Sequence, residues 1–575
     1  MTNDGMMQLS RRGLLAGGMA GVGGAMLARP ATAGMFGHGL HDFSHGCSIC
    51  GELAGAPSRA ALGGGVRRTQ MLFGSNGKAP QAPAATALRA TARQILQPDW
   101  VLACENDALK LLADHEVVID GDRIVEVRPH SSGSDDRLRL PGQILTASFI
   151  SGHTHSCAGT LTRGFIEETP IASIQGEGTA PRARSLLVPM TMIDDLTEDE
   201  LDDLTAINLA EMLRTGCTTQ VDMSLSLKQM QSYVRVATRF GMRGFPGGMV
   251  PGMKRLLPIW TRTDNKVLDD SEAATLDEIA AALAYSRTVN GSADGRIRPM
   301  MAPSVVATHT RASFAAIIAA AKELGNGVHI HVQNSWRPRD MAVLRAYWGM
   351  GEVEILREVG LLDGRLFGGH LLGVDVAKDL PILAAAKAFT FAHCPSGAGW
   401  GVLPSSQPWP EALAAGVNTS IGLDTHSNDY LDNIRQAVAQ GRSRAQLYAK
   451  TSPVGLIEPT IWHAMEAATL GGARGLGRDD LGRIQAGAKA DLCTIAIDQL
   501  LVGSGTRALE PLNSLLYANG LAVRNVMTDG RWQLRDGHLL VGNEAHLMQR
   551  GGVVVEKIWG RLKDQGYFEV GGHRG

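Results

Sequence analysis

The sequence predicts an α/β protein, a (β/α)8 TIM barrel joined to a small composite β-sandwich domain that both ends of the chain build. Three observations support this fold class. Short apolar strands alternate with Ala- and Leu-rich helical stretches between residues 146 and 478. Short β-rich segments with tight turns flank that region, at 98–145 and 479–560, and a tail follows at 561–575. Histidines and one aspartate follow several barrel strands, where barrel enzymes hold their chemistry.

Length and composition restrict the classes of function. The 575 residues exceed one ordinary domain, and 44% hydrophobic with 19% charged residues is typical of a globular enzyme. A formal net charge of −2 and an aromatic content of 5% give no basis for binding nucleic acid. We therefore expect a small-molecule substrate and no nucleic-acid partner. We also expect no membrane span, because no stretch reaches roughly 18 uninterrupted apolar residues.

The amino terminus has the pattern of an export signal. Arg11 and Arg12 precede a weakly apolar, Gly-rich run that ends near Leu27, and the small residues 31–33 (Ala-Thr-Ala) form a cleavage pattern. This resembles a twin-arginine signal peptide over residues 1–33, with the twin-arginine translocase as a partner and a periplasmic or extracellular location. That route carries folded proteins, so it suits an enzyme that takes up its metal before export. The alternative is an unrelated basic and apolar start.

Residues 34–97 are interpreted as a leader and linker, rich in Ala, Gly, Pro and Ser, with a possible short helix at 84–96. The leader holds a run of zinc-type ligands, His38, His41, His45, Cys47 and Cys50. No second half with matching spacing follows, so a flexible leader is favoured, and a Cys47–Cys50 disulfide loop is the alternative. The seven cysteines of the chain are odd in number and irregularly spaced, which argues against a disulfide framework.

Turn signals and apolar periodicity locate the individual elements. Residues 117–119 and 124–127, joined by the Asp-Gly-Asp turn 120–122, predict a hairpin in the first half of the sheet domain. Short strands are predicted in its second half at 490–495, 523–528 and 532–537. The barrel strands are predicted to end near Ile150, Val221, Phe245, Ala302, Val332, Leu371, Ala392 and Leu423. Helices between them are predicted at 198–215, 312–324 and 352–359.

Each candidate ligand comes at the end of a predicted barrel strand. The strand 144–150 runs into His153 and His155, whose side chains face the same way because alternate residues of an extended chain share a side. His329 and His331 form a second such pair on the strand 327–332. Three more strands end in His370, His393 and Asp424. Imidazoles and a carboxylate together are the donor set of a divalent metal site.

These motifs resemble the amidohydrolase superfamily, in particular the branch of the cytosine deaminases, guanine deaminases and triazine hydrolases. The resemblance covers about residues 100 to 545. Besides the metal motifs it includes 211–219 (EMLRTGCTT), which is close to a helix-to-second-strand signature of that branch. Residues 467–473 (AATLGGA) and 482–491 (GRIQAGAKAD) resemble the return from the barrel to the sheet domain.

The resemblance implies one divalent metal ion, zinc with iron or manganese as alternatives, bound by His153, His155, His331 and Asp424. It implies catalytic roles for Asp424, as general base and then acid, and for His370, which would polarise the attacked atom or stabilise an oxyanion. The strand 296–304 contains no lysine, which disfavours a two-metal site. His329 is interpreted as a packed, hydrogen-bonded core histidine. A homodimer is compatible with the family.

Two departures from the family pattern concern the substrate. The deaminases carry a Glu three residues after the fifth-strand His, where it protonates the ring nitrogen, and this chain has Asn334 there. An amide can bind substrate but cannot supply that proton, so ordinary cytosine or guanine deamination is not expected. Asn334, His393 and His309 are the candidate substrate-binding residues. The loop 160–190 lacks the family's Trp-Leu segment, and together with the loops 249–261 and 400–409 it either remodels the pocket or packs as a lid without substrate contact.

The predicted function is hydrolysis of a carbon–nitrogen bond, in an amide or an amino-heterocycle, by an exported enzyme. The first alternative is hydrolytic displacement of another leaving group, a chloride, thioether or phenol, in the same fold. The second alternative is a binding protein that has lost catalysis, which the complete set of ligand and catalytic residues disfavours.

The export prediction is tested by replacing Arg11 and Arg12 together with Lys. The twin-arginine route reads the guanidinium pair, so the precursor is expected to accumulate in the cytoplasm of a bacterial host, as measured by fractionation and immunoblotting. Mature protein outside the cytoplasm of the double variant would contradict the signal assignment.

Overall fold

The computed structural model describes residues 93–132, 137–163, 187–261, 272–335, 338–399 and 406–565. The predicted signal peptide, the zinc-type ligands of the leader and the leader itself up to residue 92 lie outside these ranges. So do the greater part of the loop 160–190, residues 400–405 and the tail after residue 565.

Five strands open the described chain, β1 (Gln94–Glu105), β2 (Ala108–Ala113), β3 (His115–Asp120), β4 (Arg123–Pro129) and β5 (Arg137–Ala147). The hairpin predicted around 120–122 is confirmed, since β3 and β4 pair antiparallel across it. The helix predicted at 84–96 is wrong for its last three residues, because 94–96 pair with β3 in extended form. This pairing buries Ile95 and Leu96, so sheet packing overrides a local helical pattern.

Eight parallel strands follow, β6 (Phe149–Thr154), β7 (Cys217–Ser224), β8 (Arg243–Val250), β9 (Ala302–Pro303), β10 (Val328–His331), β11 (Leu366–Gly369), β12 (Phe389–His393) and β13 (Thr419–Ile421). They form two four-stranded sheets in chain order. Parallel bridges join the two sheets on both sides, Val305 with His331 and Thr154 with Asp424. The strands therefore close into a ring, and the predicted (β/α)8 barrel is confirmed.

Helices connect successive barrel strands and also follow the last one. Their bounds are Gly159–Thr162, Glu198–Arg214, Leu227–Phe240, Met253–Thr261, Glu272–Val289, Arg311–Leu324, Pro338–Tyr347, Glu352–Glu358, Asp379–Ala385, Pro395–Gly399, Trp409–Ala414, Tyr430–Tyr448, Ile461–Glu466 and Gly472–Gly475. The predicted helices at 198–215, 312–324 and 352–359 match within one residue. Glu198–Arg214 begins at a capping box, in which Thr197 and Glu200 satisfy each other's backbone N–H groups. Among the described residues, no helix combines the length and the apolar character that crossing a membrane requires.

The chain then returns to the first sheet through β14 (Leu492–Ala496), β15 (Val523–Thr528), β16 (Arg531–Arg535) and β17 (His538–Leu539). Strand β14 pairs antiparallel with β5, so both ends of the chain contribute to one nine-stranded sheet. A shared sheet domain was predicted, and its closure into a sandwich stays a prediction. The last helix, Glu544–Asp564, spans the predicted boundary at 560 and packs its Val554 and Ile558 with Leu201 and Leu204 of the helix Glu198–Arg214.

A buried ionic network joins the barrel to this sheet domain. Arg243, the first residue of β8, donates to Asp491 from Nε at 2.6 Å and from Nη2 at 3.1 Å, and it also donates to Asp529. All three side chains are buried. Burial alone would lower the pKa of Arg243, but the two carboxylates raise it. Arg243 is at the amino end of its strand, so the network lies at the opposite end of the barrel from the strand-end histidines.

Removing the guanidinium of Arg243 is expected to lower stability strongly. Arg243→Ala would leave Asp491 and Asp529 buried without their main partner, which should cost about 3–5 kcal/mol in the free energy of unfolding. Urea denaturation followed by circular dichroism measures this loss. Arg235→Ala is the matched control, because Arg235 pairs with Asp202 at the surface and should lose at most about 1 kcal/mol. Equal losses in both variants would contradict the assignment.

Candidate metal centre

The carboxyl ends of four barrel strands bring the predicted ligands together. His153 and His155 lie at the end of β6, and His331 is the last residue of β10. His370 directly follows β11, and Asp424 follows β13. All five side chains are buried or nearly so.

Backbone conformation directs two of these side chains inward. His370 has a φ of +74° and Asp424 a φ of +57°, in the left-handed region that side chains other than glycine rarely adopt. Leu371, beside His370, has a φ of +50°. Such residues cluster at functional sites, where the surrounding structure holds the strain. Asp424 is held by its backbone N–H, which donates to the carbonyl oxygen of His153 at 3.1 Å.

The donor atoms converge within short distances of one another. His153 Nε2 lies 3.6 Å and His155 Nε2 3.7 Å from Asp424 Oδ1. His155 Nε2 lies 3.3 Å from His331 Nε2. His370 Nε2 lies 4.0 Å from the other carboxylate oxygen, Oδ2. One oxygen of Asp424 therefore faces His153 and His155, and the other faces His370.

Backbone carbonyls set the orientation of two of the imidazoles. His155 Nδ1 lies 2.6 Å from the carbonyl oxygen of Met223, and His331 Nδ1 lies 2.7 Å from that of Ser304. A carbonyl oxygen only accepts, so each Nδ1 carries the proton and each Nε2 presents a lone pair. Two lone pairs at 3.3 Å oppose each other unless a cation or a proton lies between them. The third imidazole, His153, has its Nδ1 2.6 Å from Nε2 of His329.

Burial favours the charge states that metal ligands need. It lowers the pKa of His153 to about 3, and it lowers the pKa values of His155, His331 and His370 below the usual range. Burial would raise the pKa of Asp424, but His370 and His153 hold it well below its ordinary value. Neutral imidazoles around an ionised carboxylate are ready to bind a cation without first releasing protons.

The residues fit a divalent metal ion. Nitrogen and oxygen ligands at about 2.0–2.2 Å from a tetrahedral ion stand about 3.3–3.6 Å apart, close to the separations between the donor atoms here. His153 Nε2 is also buried without a hydrogen-bond partner in the described part of the chain, as a free ligand position would be. His153, His155, His331 and Asp424 would hold the ion.

One further residue belongs to this cluster and was missed by the sequence analysis. Cys394 presents its sulfur within 4.8 Å of ligand atoms of His153, His370 and Asp424. The sequence analysis selected the neighbouring residue, His393, because histidine is the more usual ligand type. The sequence offered no signal for its side of the strand, because all of β12 is buried. In the structure Ala392 lies beside Gly152, and Cys394 shares its side by period-two alternation.

The three candidate substrate-binding residues all make bonds within the protein. The ring of His393 stacks on Trp409, and its Nδ1 lies 2.9 Å from Gln407 Oε1. His309 has Nε2 3.0 Å from the carbonyl oxygen of Val250 and Nδ1 3.1 Å from Ser313 Oγ. The structure does not place either residue in the group of metal-ligating atoms, so their contact with substrate stays a prediction.

Asn334 connects the loops that follow β9 and β10. Its Oδ1 accepts from the backbone N–H of Ala307 at 3.1 Å, and its Nδ2 donates to Asp340 Oδ2 at 3.0 Å. The backbone N–H of Asn334 donates to Glu352 at 2.8 Å, and the same carboxylate accepts from the backbone of Gln333 and Ser335. Burial raises the pKa of Glu352 to about 8. The side chain of Asn334 is fully buried, so it acts as a loop clamp, and its substrate contact stays a prediction.

Comparison with known proteins relates this geometry to a family. The Amidohydrolase family profile matches residues 144–532. The chain is 27% identical over 433 residues to a 5-methylthioadenosine/S-adenosylhomocysteine deaminase of Desulfitobacterium hafniense, covering 74% of this chain and 90% of that protein. It is 28% identical over 468 residues to the protein of the same name from Haloarcula marismortui, covering 80% and 96%.

Two solved structures share the fold. An adenosine deaminase from Xanthomonas campestris with bound zinc has a TM-score of 0.64 at 22% identity, covering 81% of this chain and 98% of that one. An atrazine chlorohydrolase from Arthrobacter aurescens complexed with zinc has a TM-score of 0.65 at 18% identity, covering 80% and 99%. The family resemblance predicted from the motifs is confirmed. The chain therefore belongs to the amidohydrolase family and is a hydrolase.

Proposed function

We propose that this protein hydrolyses a carbon–nitrogen bond of a small amide or amino-heterocycle, using one divalent metal ion, zinc in the first instance, per chain. The proposal rests on a cluster of imidazole Nε2 atoms beside Asp424, in which His153 and His155 face its Oδ1 and His331 Nε2 lies 3.3 Å from His155 Nε2. The relatives named 5-methylthioadenosine/S-adenosylhomocysteine deaminases support it, because their named reaction replaces an amino group on a purine ring.

The two oxygens of Asp424 have different tasks in this proposal. A bound divalent ion supplies Lewis acidity, which makes a water molecule nucleophilic at neutral pH. Oδ1 faces His153 and His155 and would hold the ion, whereas Oδ2 faces His370 and is available to a proton. Because Asp424 is ionised, Oδ2 can accept the proton of the attacking water and deliver it to the leaving nitrogen.

His370 completes the proposed mechanism on the substrate side. Its pKa is lowered by burial, so it is neutral at physiological pH and carries one N–H. His370 Nε2 lies 4.0 Å from Asp424 Oδ2, so both groups would border the position of the attacked carbon. A neutral N–H there stabilises negative charge on the attacked group as the bond to the leaving group weakens.

The contacts of Asn334 favour one alternative, hydrolytic displacement of a leaving group that needs no proton on the ring. Asn334 occupies the position of the proton-donating Glu, yet its amide is committed to Ala307 and Asp340. A chloride, thioether or aryl leaving group departs without that proton. Among carbon–nitrogen substrates, amides have less need of it than aromatic amidines.

The proposal is tested by metal analysis and by ammonia release from a panel of amides and aminoheterocycles. About one zinc, iron or manganese ion per chain beyond any held by the leader, together with turnover of a nitrogen substrate, is expected. Chloride or thiol release without ammonia would favour the alternative. Bound metal without turnover of these nitrogen compounds, or of compounds that carry a chloride, thioether or aryl leaving group, would favour a non-catalytic binding protein.

Substitutions at Asp424 and His370 should separate metal binding from catalysis. His370→Ala is expected to keep the metal and lose about 10²–10⁴-fold in kcat, the scale of one acid–base or oxyanion contact. Asp424→Asn should abolish turnover and also weaken metal binding, because it removes an anionic ligand together with the base. Metal content by atomic emission and kcat on the best substrate are the measurements. Loss of metal in His370→Ala would make His370 a ligand.

Asn334 provides a test of substrate class. Asn334→Glu alone would place a carboxylate against Asp340, 3.0 Å from the present amide nitrogen, so the informative variant is Asn334→Glu with Asp340→Asn. The pair should keep its metal and gain activity on aminoheterocycles relative to amides, because a carboxyl group can protonate the ring nitrogen. Asp340→Asn alone is the control. Rapid deamination of cytosine or guanine by the unchanged protein would contradict the role assigned to Asn334.

A further inference from the structure

His329 forms an unusual hydrogen bond beneath the metal centre. Its Nε2 lies 2.6 Å from Nδ1 of His153, and the two rings meet edge to face with centroids 4.7 Å apart. His329 is 1% exposed, and its other nitrogen, Nδ1, has no hydrogen-bond partner in the described part of the chain. A buried N–H without a partner costs about 1–3 kcal/mol, so a plain core residue such as Leu would be the cheaper filling for this space.

At His153, the side chain of His329 takes the place of the backbone carbonyl that orients each of the other two imidazole ligands. His155 and His331 each hold Nδ1 against a backbone carbonyl oxygen, from Met223 and Ser304. His153 lies at the centre of the cluster, where its Nδ1 has a side chain as its partner. The main chain thus orients two ligands, and a side chain orients the third.

The tautomers of the two rings are linked. For Nε2 of His153 to bind a cation as a neutral ligand, its Nδ1 must carry the proton. Nε2 of His329 then accepts this proton in a hydrogen bond, and the proton of His329 sits on the unpartnered Nδ1. An acceptor at this position also increases the electron density that His153 can offer to a metal ion.

We propose that His329 is a positioning residue of the metal centre, which holds His153 in its Nδ1–H tautomer and sets its ring orientation. The inference rests on the proposed metal site. His329 contacts no metal in this scheme and acts only through His153. Its hydrogen bond should therefore appear in the affinity for the metal, even in the absence of substrate.

Three variants at this position separate the hydrogen bond from the filling of space. His329→Gln is expected to place an amide oxygen near the present Nε2 and keep an acceptor for His153. His329→Leu fills similar volume without an acceptor, and His329→Asn keeps an amide that is too short to reach. Zinc dissociation constants of the metal-free full chain are measured by competition with a chelator. A His153→Ala/His155→Ala variant measured in parallel gives the zinc held by the leader.

We expect the zinc dissociation constant to rise about 10–100-fold in His329→Leu and His329→Asn, and to stay within a few-fold of the unchanged protein in His329→Gln. Urea midpoints of the metal-free variants should not follow this order, because the effect belongs to metal binding. Equal zinc affinity of the Leu and Gln variants would overturn the inference, as would affinities that simply follow the urea midpoints. If the unchanged protein binds no zinc at this site, the proposed function fails instead.

Discussion

His153 lies at the centre of a buried group of imidazoles. The rest of the structure shields this group from solvent and keeps its rings correctly oriented. Its ring is nearly perpendicular to the rings of His155, His329, His331 and His370, with centroids 4.7–4.9 Å away. In so dry an environment charged imidazoles are disfavoured, and a lone pair without a donor is expensive. Hydrogen bonds at the Nδ1 atoms and a cation at the Nε2 atoms would resolve both problems together.

Closing the barrel and assembling the metal centre are the same structural event. The seam between β13 and β6 is made by the backbones of the ligands themselves, with Asp424 N–H donating to His153 and His155 N–H donating to Asp424 at 3.3 Å. The seam fixes one carboxylate oxygen near two imidazoles without depending on side-chain flexibility. The bridge from Val305 to His331 plays a similar part on the other side of the ring. Geometry of this kind follows from strand register, which is a stiff constraint.

The two ends of the barrel have different roles: the amino end contributes to stability, and the carboxyl end holds the candidate site. At the amino end of β8, the buried Arg243 pairs with two carboxylates of the returning segment, Asp491 and Asp529, which attaches the sheet domain to the barrel. At the carboxyl ends, left-handed backbone and clustered donors make a site that is less favourable in isolation. Strain at one end is tolerated because the parallel ladders of the ring hold the barrel strands in register.

The sequence by itself determined the barrel, the two-ended sheet and the His and Asp side chains that meet at the carboxyl ends of the strands. Alternation along an extended strand places His153 and His155 on one side, and a strand's end is visible in apolar periodicity, so these predictions need only local rules. The same rules could not assign His393 and Cys394 to the outside and inside of β12, because both faces of a barrel strand are buried. They also could not find the partner of His329, or the clamp that Asn334 makes with Ala307 and Asp340. Those contacts join residues far apart in sequence or on different loops, and only the closed ring brings them within hydrogen-bonding distance.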